Sequence, residues 1–98
     1  MRMIESILAD AAAIAAVRRD LHAHPELCFE ENRTSDVIAR TLDGWGIPVH
    51  RGLGTTGIVG VISNGGSSRA VGLRADIDAL PMTEPNRFAH SSRHAGRM

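Results

Sequence analysis

The sequence has no lysine and no tyrosine, one cysteine, one tryptophan and no net charge. With Cys28 alone no internal disulfide can form, and nothing is patterned as a secreted disulfide framework, so a reducing compartment is expected. Eleven arginines balance eleven acidic residues, which leaves no field to gather polyanions and argues against nucleic acid or an anionic membrane as partner. An unbroken apolar run is also missing. Glu5, Asp10 and Asp20 interrupt the N-terminal apolar stretch, whereas a signal peptide or membrane helix needs an uninterrupted one. A cytoplasmic protein is therefore expected.

What remains is ordinary globular material: 98 residues, 43% hydrophobic and 22% charged. A chain of this length typically buries roughly 60–65% of its unfolded surface, which is enough for one small core. Ile4, Ile7, Leu8, Ala11, Ile14, Ala15 and Leu21 recur at three- and four-residue steps, predicting a core-packed amphipathic helix over about 3–22 that Pro25 terminates. A second helix is predicted over about 34–45, capped by Asn32 or Thr34, with Ser35 and Asp36 in its first turn. Its buried stripe is Val37, Ile38, Leu42 and Trp45, and its stop is marked by Gly44, Gly46 and Pro48. The texture then becomes β-branched, predicting strands at about 49–51, 57–62 and 70–76. The turn-forming cluster Asn64-Gly65-Gly66-Ser67-Ser68 should join the last two as a hairpin. Residues 79–98 read as loop.

Several residues carry possible chemistry. Gly52, Gly54 and Gly57, with Asp76 downstream, match a dinucleotide-binding spacing. That motif requires a helix after its third glycine, where this chain has a short β-branched strand, so the glycines are read as a bend between strands. His22 and His24 lie two apart at a helix end and face different sides, while His90 and His94 have helical spacing in a loop. Both pairs are read as polar rather than metal-binding histidines. Glu26, Glu30 and Glu31 are read as capping and pairing groups for Arg18, Arg19 and Arg33, since no reacting bond is identified between them. Asp76 and Asp78 lie where an apolar strand runs out into a loop, a usual place for sites in α/β folds. They could hold a metal, orient a ligand or form a turn, and Arg74 could neutralise one of them.

The segments Arg18-Arg19-Asp20-Leu21-His22-Ala23-His24-Pro25-Glu26-Leu27, Phe29-Glu30-Glu31 and Arg33-Thr34 resemble the opening motif of a metal-dependent amidohydrolase family. Its members are the hippurate hydrolases, N-acyl-amino-acid amidohydrolases and indoleacetyl-amino-acid hydrolases. The resemblance continues through Gly54-Thr55-Thr56-Gly57-Ile58-Val59-Gly60 and through Gly72-Leu73-Arg74-Ala75-Asp76-Ile77-Asp78-Ala79-Leu80-Pro81, covering about residues 17–98. It implies an α/β fold: the N-terminal part of an α/β/α metallohydrolase catalytic domain, with two helices, about three strands and no inserted lid or dimerisation domain. It implies hydrolysis of N-acyl (hippurate-like) amino acids by water activated on divalent metal (Zn, Mn, Ni or Co), in homo-oligomeric relatives. The family's metal-binding His-Ala-Cys-Gly-His segment follows a Gly-Arg-Met like Gly96-Arg97-Met98. No metal ligand or catalytic glutamate therefore maps onto these residues, and the isolated chain is expected to be a fragment that binds no metal tightly and is inactive. Asp78 is the possible orienting residue and Asp76 a possible support near the metals. The alternative is a non-catalytic module that pairs with another chain through an exposed strand.

Overall fold

The computed structural model describes residues 4–98. The chain divides into two compact units, one of Glu26–Ala79 and one of the residues up to Pro25 together with Leu80–Met98. The element order is α1 (Glu5–Ala23), α2 (Asn32–Gly44), β1 (Val49–Leu53) and β2 (Gly57–Gly60). The fold is thus α/β, two helices followed by two antiparallel strands.

In the discontinuous unit, α1 ends at Ala23, two residues short of the proline that forbids its continuation. The expected start at Met3 lies outside the described residues. The expected apolar stripe is not core-packed: Ile4, Ile7, Leu8 and Ile14 are all exposed, and Ala23 is the helix's buried residue. Periodicity identifies a face that can be buried but does not supply its cover. Leu80–Met98 has no regular element and closes on itself, Leu80 N–H donating to the Met98 carbonyl at 2.8 Å and Met98 N–H returning to Leu80 at 3.1 Å. Arg93 N–H ties this loop to the Ala23 carbonyl at the end of α1, at 2.9 Å.

In the continuous unit, α2 lies on the hairpin. Its buried residues are small, Thr34, Ser35 and Ala39, and the Leu42 side chain reaches strand β2 at Gly60. Trp45, expected in the buried stripe, is 60% exposed, because it falls at the cap beyond the last helical turn. Neither Asn32 nor Thr34 caps the helix. The cap position is Glu31, which makes no side-chain cap bond, and the free N–H groups are met by Glu26 instead. Its carboxylate accepts from Arg33 N–H at 3.0 Å and Thr34 N–H at 2.5 Å. The earlier helix start moves Ser35 and Asp36 beyond the positions expected for them.

The hairpin pairs Val49 with Gly60, His50 with Val59 and Arg51 with Ile58, with an irregularity between Arg51 and Leu53 where Gly52 adopts φ 83°. The tight return through Gly54 (φ 55°) and Thr55 (φ 81°) requires glycine at 57, where a β-carbon would stand 2.3 Å from the Leu53 carbonyl oxygen. The expected hairpin between 57–62 and 70–76 does not form. Strand β2 pairs with β1 across the shorter loop, and residues 70–76 run without strand pairing, Val71 and Leu73 being 88% and 95% exposed. Strand propensity marks a segment that can pair, but pairing needs a neighbour in register.

Burial alone would push the Glu26 carboxyl up. Hydrogen bonds from Thr34 and Arg33, with the Arg33 charge, outweigh it and hold Glu26 below its ordinary range. A carboxyl depressed in the folded state stabilises above its unfolded pKa, and that contribution is lost as pH falls through the folded value. Glu26→Ala is therefore expected to cost about 1–2 kcal/mol at neutral pH. The cost should shrink as the pH is taken below about 4, as read by urea denaturation of both chains across pH.

Candidate functional site

The residues with possible chemistry fall into one group in each unit. In the continuous unit the turn before α2 carries Cys28 and Glu31, and the stretch leaving the unpaired segment carries Asp76 and Asp78. Cys28 is exposed, whereas Glu31 is only 5% exposed and accepts from the Thr56 hydroxyl at 2.7 Å. Thr56 is itself buried and belongs to the hairpin return, so this bond fixes the turn onto the strands. The turn is strained where the bond anchors it: Phe29 holds φ 66° two residues before Glu31, and Thr55 holds φ 81° beside Thr56. Asp76 and Asp78 are exposed, and Arg74 pairs with Asp76 at 2.6 Å, with both side chains largely in solvent.

The two aspartates come near enough to Cys28 to act on it. Partial desolvation first, and then the charges of Asp78, Glu31 and Asp76, push the thiol above the ordinary cysteine range. This acidic corner joins residues separated by about half the chain. Sequence reasoning picked out the aspartates but treated Cys28 only as evidence of compartment, and no spacing in the sequence signals that they meet.

In the other unit the histidine pairs separate, each ring finding its own partner. His22 Nε2 donates to Glu84 Oε1 at 2.9 Å, and His24 Nδ1 donates to the Asp20 carbonyl at 2.9 Å. His90 stacks on Phe88 with centroids 4.0 Å apart, and its ring lies 6.1 Å from that of His22. His94 lies 6.4 Å from His24, ring to ring. Desolvation, followed by the charges of Arg19, Arg18 and His22, pushes the His90 imidazole below its ordinary value. Glu84 was not singled out by the sequence, yet it organises the loop: its side chain is 3% exposed and also accepts from Ser92 N–H at 2.6 Å and from Asn86 at 3.3 Å. Those bonds, that from Ser92 foremost and then that from His22, outweigh desolvation and hold its carboxyl below the ordinary range.

A metal can be tested against these donors. Among the described residues no group of three or more His, Cys, Asp or Glu side chains is arranged to hold one. The residues present do not fit a metal by themselves, and no chemical step is derived through one. Nor is any helix of the described residues long and apolar enough to cross a membrane. Each unit contains carboxylates used as structural ties, the half-buried Glu26 and the buried Glu31 in the continuous unit and Glu84 in the other.

The fold that carries these groups is α/β, and comparison with known proteins shows what it is similar to. The hippurate hydrolase of Campylobacter jejuni is 38% identical over 93 residues, which is 95% of this chain and 24% of that protein. The N-acyl-L-amino acid amidohydrolase of Geobacillus stearothermophilus is 37% identical over 98 residues, 99% of this chain and 25% of the relative. Among solved structures, a dinuclear metal binding peptidase of the M20 family from Bacillus subtilis matches with a TM-score of 0.85 at 33% identity, over 92% of this chain and 25% of that one. No protein-family model matches the chain. The chain is a homologue of one segment of these M20-family amidohydrolases and peptidases, and it spans about a quarter of the length of the relatives it matches.

Two outcomes follow from the geometry. Cys28 should alkylate slowly at neutral pH, and Asp78→Asn should speed it by lowering the thiol pKa, as measured by iodoacetamide labelling across pH. Glu84→Ala should accelerate hydrogen exchange at the Ser92 amide. In the unaltered chain the same amide should lose protection as pH falls through the folded Glu84 pKa, below the ordinary glutamate value of about 4.3.

Proposed function

We propose that these 98 residues serve as scaffold in a metal-dependent amidohydrolase that cleaves the amide bond of N-acyl, hippurate-like amino acids. The observation that carries this reading is the match to the M20-family peptidase, in which fold and sequence agree over 92% of the chain. Similarity to a hippurate hydrolase and an N-acyl-amino-acid amidohydrolase supports the substrate class. The reaction belongs to the assembled hydrolase, whose divalent ions (zinc, manganese, nickel or cobalt) would supply the activated water, held by residues outside these 98. The enzyme is read as cytoplasmic, which the single cysteine supports, and as homo-oligomeric, which only the family resemblance implies.

Within the assembly this chain's own residues act through position. Glu26 and Glu31 fix the turn before α2 against the helix and the hairpin, so that the turn faces the acidic corner as one rigid piece. Asp78 is the orienting residue at that corner. Asp76, already balanced by Arg74, supports it.

The test is a chimera in which this sequence replaces the matching quarter of the Bacillus subtilis peptidase. With divalent metal it should hydrolyse hippurate or a related N-acyl amino acid and lose that activity on chelation, while the isolated chain stays inactive. Asp78→Asn should lower kcat of the chimera about tenfold to a hundredfold, as expected for a group supporting a metal site, with little change in its melting temperature. A folded, metal-loaded chimera inactive on every N-acyl amino acid would overturn the reading.

A further inference from the structure

The segment Leu80–Met98 of the discontinuous unit carries a smaller loop within it. Glu84 closes the base of that loop: Oε2 accepts from Ser92 N–H at 2.6 Å, and Oε1 accepts from Nε2 of His22, in the last turn of α1, at 2.9 Å. Residues 86–91 are then bonded within themselves. Ser91 Oγ accepts from Phe88 N–H and donates to the Asn86 carbonyl, both at 3.0 Å, and Ser91 N–H donates to the Phe88 carbonyl at 3.1 Å. Two rings carry this segment onto α1. Phe88 and His90 stack with centroids 4.0 Å apart, and they lie 6.2 Å and 6.1 Å from the His22 ring.

Charge is unevenly supplied at this contact. Arg18, Arg19 and His22 act on His90 from α1, and Glu84 is the one anion among the groups that act on it. That carboxylate is already committed to His22, Ser92 and Asn86, with its side chain 3% exposed. A proton on His22 therefore makes an existing bond charge-assisted and stronger. A proton on His90 instead adds a cation beside two arginines and a second imidazole. Desolvation first, and then those charges, hold the His90 imidazole below its ordinary value. A histidine depressed in the folded state stabilises the closed contact above its unfolded value of about 6.5, and that contribution is lost as pH falls through the folded value. The stack itself survives protonation, because a cation is attracted to the face of a ring. Phe88 and His90 therefore move together.

We infer that residues 86–91 are a flap that lifts from the end of α1 in weak acid, Phe88 and His90 leaving His22 as one piece, while Glu84 keeps the base of the flap clamped to His22 and Ser92. The clamp and the flap answer to different protons. The clamp tightens as His22 charges and fails only when Glu84 itself is protonated, whereas the flap is released by His90. Closed, the flap covers the His22 ring, whose side chain is 28% exposed, and lifting uncovers it. The inference concerns no residue of the acidic corner and does not depend on the proposed reaction.

The experiment follows nuclear Overhauser contacts between the Phe88 and His22 rings in the 98-residue chain. Their intensity should fall about tenfold between pH of about 7.5 and about 5, an interval that spans the ordinary histidine value. Over the same interval the Ser92 amide should keep its protection from hydrogen exchange. His90→Phe retains the stack and cannot charge, so its contact with His22 should persist throughout. His90→Arg carries the charge at every pH in the interval while still stacking, so its contact should be absent even at the upper end. A contact that endures in acid in the unaltered chain would overturn the inference. So would equal loss in His90→Phe, which would assign the release to His22 or Glu84. Loss of Ser92 protection over the same interval would also overturn it, because the whole loop would then be opening and not the flap alone.

Discussion

The hydrogen bond from the Thr56 hydroxyl to the Glu31 carboxylate is the constraint on which the continuous unit depends. It is buried at both ends, so its loss would leave an unpaired carboxylate away from water, a costly state. It ties the turn before α2 to the return of the hairpin, and the two non-glycine residues with positive φ among the described residues, Phe29 and Thr55, lie within two positions of it. Such strain persists only where surrounding contacts over-determine the backbone. Glu26 adds the second tie by meeting the open N-terminus of α2, so one short turn positions a helix, a hairpin and the acidic corner together.

This economy explains a unit whose interior is small and polar. Thr34, Ser35, Ala39 and Thr56 are its buried residues beside Glu31, and no large side chain among the described residues is fully buried. Directional bonds do locally what a hydrophobic core does in an independent domain. The large apolar residues are instead turned outward, on α1, at the end of β2 and along residues 70–75. Exposed apolar surface of that kind marks places where another element can pack.

Both helices were legible in the sequence, since their punctuation is local: Pro25 after α1, and Gly44, Gly46 and Pro48 after α2. The bend at Gly52, Gly54 and Gly57 was legible too, as backbone requirement rather than phosphate cradle, and the added β-carbon at Gly57 shows why. The third strand was misread because apolar, β-branched composition registers the capacity to pair without its partner. The cap of α2 was misread because the nearest side chains with capping chemistry, Asn32 and Thr34, were preferred over a glutamate several residues back.

By itself the sequence displayed the likeness to the hippurate hydrolase and its relatives, because long runs of matched residues carry ancestry whatever surrounds them. It also determined helix limits and turn glycines, which depend on neighbours along the chain. Only the tertiary structure decided what the polar residues do. Glu31 meets Thr56 across 25 positions and His22 meets Glu84 across 62, and no local pattern encodes such meetings. The same distance dependence took the histidine pairs apart and brought Cys28 within reach of Asp76 and Asp78, because a bond or a charge acts through space rather than along the chain.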